Sequence, residues 1–276
     1  MIKRNGLIDI LRFVFAIFIL FYHGFFIVEY NVPLGQSITT FFFLINGFFI
    51  KGVRVKYSNT PLFKSILLFL KDRLVKMGWP LLVGFIAALI GAYFNHFSNG
   101  IIRYLWFIQW ILLFDIIYIV LTKFFDEKTI KIIAIIIVVI GTIMFSVWEY
   151  YYNCKGSSTP PNELIGVIFI PTGYLLSFMK PISKKYQGLL YALVFISLFG
   201  SAYLIFTTDT LLNRYLLFTA QTLCFISAIN IYAKSNKTTS LLANMSLPIY
   251  VLQPLLLLIK DIFSIKEYRQ IIIILK

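Results

Sequence analysis

Acidic residues are scarce in this chain, and cysteine and histidine are scarcer. It has 11 Asp and Glu, two Cys and two His among 276 residues. His23 and His96 have no neighbouring Cys or His, so no metal site is expected. Cys154 falls in an expected outer loop and Cys224 inside an expected span, which argues against a disulfide between them. No Walker-type or dinucleotide-type glycine loop is present, which argues against ATP-driven transport within the chain. No internal repeat appears, so the signature of many secondary transporters is missing.

What is abundant is apolar. The chain is 60% hydrophobic and 13% charged, with a mean hydropathy of +0.88. A soluble domain of this length needs more polar surface. The expected fold class is therefore all-α, a polytopic membrane bundle of about nine or ten helices, forming one domain over residues 1–276. Spans are expected near 7–28, 38–52, 78–95, 102–121, 131–148, 164–179, 188–206, 214–233 and 241–259. The first apolar run is long enough to span and is followed by no small-residue cleavage site, so it is expected to be retained.

The net charge of +14 raises the question of nucleic acid. No nucleic-acid partner is expected, because the cations fall in alternate loops, as the positive-inside rule demands. With Lys3 and Arg4 in the cytoplasm, the inner loops carry Lys51, Arg54, Lys56, Lys64, Lys71, Arg73 and Lys76. Later inner loops carry Lys123, Lys128, Lys131, Lys180, Lys184, Lys185, Lys234 and Lys237. The outer loops hold Lys155, with Arg103 and Arg214 at span edges. The expected location is a multi-pass position in the inner (cytoplasmic) membrane, with the N-terminus inside. Residues 262–276 end in an apolar run too short to span, so they form an interfacial end or a partial last helix.

The first run, from Leu7 to His23, carries Asp9, Arg12 and His23 as its ionisable side chains apart from Tyr22. At about 100° per residue, the eleven steps from Arg12 to His23 overshoot three turns by about 20°. Asp9 lies about 60° to one side of Arg12, within contact range. All three share one stripe of a helix otherwise suited to lipid. Ionisable groups inside a membrane point to a functional site. The simpler alternatives are an ion pair of Arg12 with Asp9 and a structural hydrogen bond for His23.

Two polar segments stand out. Residues 51–77 form the longest inner segment, where Leu62, Phe63, Ile66, Leu67, Phe69, Leu70 and Leu74 alternate with Lys64, Lys71, Arg73 and Lys76. That suits a basic amphipathic helix along the cytoplasmic surface, with Pro80 in the first turn of the next span. Its cations serve a ligand or only anchor the loop to anionic lipid. Residues 149–163 form the longest outer loop, whose Tyr150, Tyr151 and Tyr152 fit an aromatic belt or a sugar-stacking surface. Asp115, inside the fourth span, needs a partner: it lines a path or pairs with a cation from another helix. His96 reads as an exposed loop residue.

These residues resemble the acyltransferase-3 family of integral-membrane O-acyltransferases. Arg4, Asp9, Leu11, Arg12 and His23 are similar to its opening motif. Phe41 to Ile50, with Asn46 and Gly47, resembles its Phe-Phe-x-x-Ser-Gly-Phe element. Phe69 to Pro80 resembles its basic segment ending in proline. Leu105-Trp106-Phe107 resembles the start of a later helix, and Ser246 to Gln253 its closing Ser-Tyr-x-Ile-Tyr-x-x-His element. Three positions depart: Asn46 stands for serine, Lys76 for arginine and Gln253 for histidine. Gln253 cannot titrate, so a proton-transfer role there is not carried over. The chain is shorter than the family's ten helices imply, and no appended hydrolase-like domain is expected.

The resemblance implies transfer of an acyl group, usually acetyl, from acyl-coenzyme A to a hydroxyl of a bacterial surface polysaccharide. Acetyl-CoA is then a donor substrate, with no permanently bound cofactor. The expected partners are acyl-CoA, a polysaccharide or lipid-linked glycan acceptor, and membrane lipid. Arg12, Arg73 and Lys76 are the candidate phosphate-binding cations, with Asp9 orienting Arg12. His23, about 16 Å further along the helix, is the candidate base or acyl carrier. Glu29 orients His23 only if the helix ends or bends between them. Asn46, Trp106, Tyr250 and Gln253 are candidates for the acceptor cavity, although Pro248 and Pro254 explain a bend at the last two equally well. Readings of a different class are a polysaccharide-precursor transporter or flippase, and a glycan polymerase or assembly scaffold.

Overall fold

A computed structural model describes residues 5–21, 39–57, 59–93, 106–153, 162–205 and 211–251. Among them the chain is helical, with one isolated antiparallel bridge between Asn5 and Lys234. The helices are α1 (Gly6–Phe21), α2 (Thr40–Tyr57), α3 (Leu62–Tyr93), α4 (Trp106–Phe124), α5 (Glu127–Asn153), α6 (Asn162–Leu176), α7 (Gln187–Ile205), α8 (Leu211–Asn230) and α9 (Lys237–Val251). Each contains one apolar run of the sequence. Two stretches, Glu127–Trp148 and Lys184–Leu204, are long and apolar enough to cross a membrane by length and composition. Only 22% of each is buried in the protein. A core helix of a soluble protein would be mostly buried. On α5, Ile135, Ile136, Val139, Ile140, Ile143 and Val147 face outward instead, as lipid contact requires.

One expected boundary is corrected. The basic stretch 61–76 and the run that follows do not form two elements. They are a single 32-residue helix, α3, which passes through Pro80. Proline removes one backbone donor and crowds the carbonyl four residues back. Away from water, however, every other backbone group nearby still needs its partner, and helix supplies it. At about 1.5 Å per residue α3 is about 48 Å long, against about 30 Å of bilayer hydrocarbon. Its first half packs Leu62, Ile66, Phe69 and Leu70 around Tyr57 and against Leu112, Ile116 and Ile119 of α4. Pro171 in α6 and Pro248 in α9 likewise lie within helix.

The tightest seam joins α2 to α6. A Cβ on Gly47 would lie 1.9 Å from the Ile170 carbonyl oxygen, and one on Gly173 would lie 2.1 Å from that of Leu44. Only glycine lets the two backbones approach so closely. Phe43 fills the space over Gly166, and Gly141 brings α5 against Val167 and Ile168 of α6. Above this seam, Phe41 stacks on Phe15 at 4.3 Å and meets Phe225 edge-on at 5.8 Å, joining α1, α2 and α8. The fully buried Gln221 of α8 accepts a hydrogen bond from the Phe41 backbone N–H at 3.0 Å, satisfying one orphan donor at the start of α2.

The start of α1 is clamped to the α8–α9 connection. Asn5 accepts from the Leu7 N–H and donates to the carbonyls of Ala228 and Ile231. The Gly6 N–H donates to the Ala233 carbonyl at 2.8 Å. At the other helix ends, Lys123 of α4 donates to the carbonyls of Tyr57 and Thr60, pinning the turn between α2 and α3. Asp72 accepts from Lys56 and from the Tyr57 hydroxyl. The bond to Asp72 raises the Lys56 pKa above the ordinary lysine value.

Candidate functional site

Three helices bring one polar group each to a common point inside the bundle. Asp115 sits at the midpoint of α4, and its side chain is fully buried. Its Oδ2 pairs with Nη2 of Arg73 on α3 at 2.5 Å. Its Oδ1 accepts from Nδ2 of Asn46 on α2 at 3.2 Å. Both carboxylate oxygens are therefore engaged, as a buried charge demands. The Arg73 side chain is 32% exposed, and its guanidinium carbon lies 5.1 Å from the centre of the Phe69 ring. The guanidinium is thus fixed at one edge by a carboxylate and supported by an aromatic ring, on a side chain that is not fully enclosed. A guanidinium has five donors in a fixed fork, so binding one carboxylate leaves donors for a second anion.

Local sequence explains this convergence. Asn46 directly precedes Gly47, so the glycine contact with α6 sets the height and rotation of Asn46 on α2. Phe69 lies four residues before Arg73 on one face of α3, and its burial against Tyr57 and Ile119 aims Arg73 at α4. Asp115 lies four residues before Ile119 on the same face of α4.

Two of the expected ligand groups meet here, Asn46 from the acceptor set and Arg73 from the acyl-CoA set. Asp115 joins them. Its need for a partner was legible in the sequence, and the structure resolves the alternatives in favour of a cation from another helix. Asp9 is buried and accepts from the Ser235 hydroxyl at 2.8 Å, which ties α1 to the residues before α9. Arg12 follows one turn later on α1 and is half-buried. Lys76, Trp106 and Tyr250 lie in α3, α4 and α9, but their side chains are outside the described set. His23, Glu29 and Gln253 lie outside the described residues altogether, as does His96.

The fold and site define a helical membrane protein with a buried ionic cluster spanning three helices. The acyltransferase-3 family model, described as an acyltransferase domain, matches residues 5–274. The chain belongs to that family and is a membrane acyltransferase. No curated protein and no solved structure matches it.

Proposed function

We propose that the protein moves an acyl group, acetyl in the first instance, from acyl-CoA to a hydroxyl of a cell-surface polysaccharide or its precursor. The proposed setting is the inner (cytoplasmic) membrane with the N-terminus inside, in keeping with the basic residues in alternate loops. The observation that carries this reading is Arg73. A guanidinium anchored on a buried carboxylate, on a side chain about a third exposed, suits the phosphates of coenzyme A. Arg12 and Lys76 are the further cations proposed for those phosphates, with Asp9 holding the start of the Arg12 helix in place.

His23 is the proposed base. It takes the acceptor hydroxyl proton as that oxygen attacks the thioester carbonyl, the new ester C–O bond forms, and the C–S bond breaks. The imidazolium returns the proton to the coenzyme A thiolate. In the relay form, the imidazole nitrogen first receives the acyl group from the thioester and then yields it to the hydroxyl. Glu29 is the proposed orienting group. Asn46, Trp106, Tyr250 and Gln253 are proposed for the acceptor side.

Purified protein given labelled acetyl-CoA and a glycan acceptor is expected to label the glycan, and His23→Ala to abolish transfer in a protein that still folds. Activity persisting in His23→Ala removes His23 from the mechanism. Arg73→Met combined with Asp115→Leu, which leaves no buried charge unpaired, is expected to raise KM for acyl-CoA with a smaller effect on kcat.

A further inference from the structure

The end of the bundle that carries Lys51 and Lys131 contains a second arrangement, lined in part by residues flanking Asp115 on α4. Helices α4 and α5 are consecutive yet diverge, and an apolar crevice lies between them. Ile50, Phe114, Tyr118, Ala134, Ile137 and Tyr174 are among its lining residues, so α2 and α6 form its floor. It is a shallow crevice, half open to the outside. Ile117 also lines it and is 40% exposed, so the crevice opens on the outer surface of the bundle.

Cations stand at its basic end. The Lys51 and Lys131 ammonium groups lie 3.9 Å and 3.6 Å from the centre of one ring, that of Phe178. Phe178 in turn packs edge-on against Tyr174 at 5.1 Å, which connects the two lysines to the crevice lining. Glu127 sits 3.2 Å from Lys131 and 4.0 Å from Lys51. One carboxylate thus faces two ammonium groups, and each lysine side chain is 35% exposed. The N-terminus of α5 adds its own positive end at the same place.

The dimensions fit one leaflet. From Glu127 at the start of α5 to Ile137 at the far end of the crevice is ten residues, about 15 Å of helix. That is half of the roughly 30 Å hydrocarbon thickness. We infer that this crevice holds an acyl chain of an anionic phospholipid from the cytoplasmic leaflet, with its phosphate on Lys51 and Lys131. Charge complementarity selects the headgroup, and the predominantly apolar lining selects the chain. The inference does not depend on the acyl-transfer reading.

The test uses the full chain in detergent, stripped of lipid, with binding read by native mass spectrometry. Phosphatidylglycerol is expected to bind about tenfold more tightly than phosphatidylcholine with the same chains. The double substitution Lys51→Gln/Lys131→Gln is expected to remove that preference. Ile117→Trp, at the exposed mouth, is expected to weaken both lipids while leaving the thermal midpoint close to that of the parent. Equal affinity for the two lipids in the parent protein overturns the inference, as does a preference that survives the double substitution. Glycerol 3-phosphate binding as tightly as the lipid also overturns it, by leaving the acyl chain no role.

Discussion

Helix α2 is held along two seams built on opposite principles. Toward α6 the contact is apolar and backbone-to-backbone, set by Gly47 and Gly173. Toward α3 and α4 it is polar, set by Asn46 against the Arg73–Asp115 pair. Asn46 and Gly47 are adjacent, so one residue step separates the two. The apolar seam gains dispersion contacts and leaves no group unsatisfied. The polar seam gives back in desolvation most of what its charges gain, so its net stabilisation is small. What the second seam provides is a fixed position for a guanidinium, the feature on which the proposed phosphate contact rests.

This contrast breaks most severely at the glycines. Gly173→Leu is expected to abolish the folded protein, because the obstacle is the Leu44 backbone and cannot rotate away. Detergent-stable monomer on size exclusion is the measurement, and a normal yield would refute the seam. Next comes Asp115→Ala, which leaves Arg73 mostly buried beside a missing carboxylate. A loss of about 3–5 kcal/mol is expected in chemical unfolding.

The sharpest comparison is the pair Arg73→Met with Asp115→Leu. Removing both charges together is expected to return stability to within about 1 kcal/mol of the parent, with KM for acyl-CoA still raised. If the double variant stays as unstable as Asp115→Ala alone, the polar seam is structural after all. Asn46→Ser keeps a donor, and a change under about 1 kcal/mol is expected.

The smallest effect belongs to Asp126, a capping residue before α5 that takes part in neither seam. Its carboxylate accepts the Thr129 N–H at 3.0 Å, and the bonds with Thr129 hold its pKa below the ordinary carboxylate value. A depressed folded value means that its contribution is present above the unfolded pKa and fades as pH falls through the folded one. Asp126→Ala is therefore expected to lower the thermal midpoint slightly at neutral pH and not at all in strong acid.

Helix positions were legible in the sequence, because apolar runs separated by polar breaks leave little choice in a membrane. The continuity of α3 was not. Pro80 is a local signal for a helix start, and the demand that backbone groups be satisfied away from water overrode it. The need of Asp115 for a partner was likewise visible, whereas its choice of Arg73 depends on how three helices rotate about their axes. That rotation comes from Gly47, Phe69 and their contacts, which spacing along one helix cannot reveal. The two lysines on Phe178 read only as loop charges for the same reason. Phe178 lies 47 residues from the nearer of them in sequence.

The glycine contacts have a mechanical consequence. Gly47 with Gly173 fastens α2 to α6, and Gly141 brings α5 against the same helix. Helices α2 and α6 must therefore travel as a rigid block in any rearrangement, since sliding would drive one backbone into the other, whereas α5 meets α6 through the side-chain tips of Val167 and Ile168. Relative movement is then left to the other helices, whose packing on that block lacks such interlocks among the described glycines.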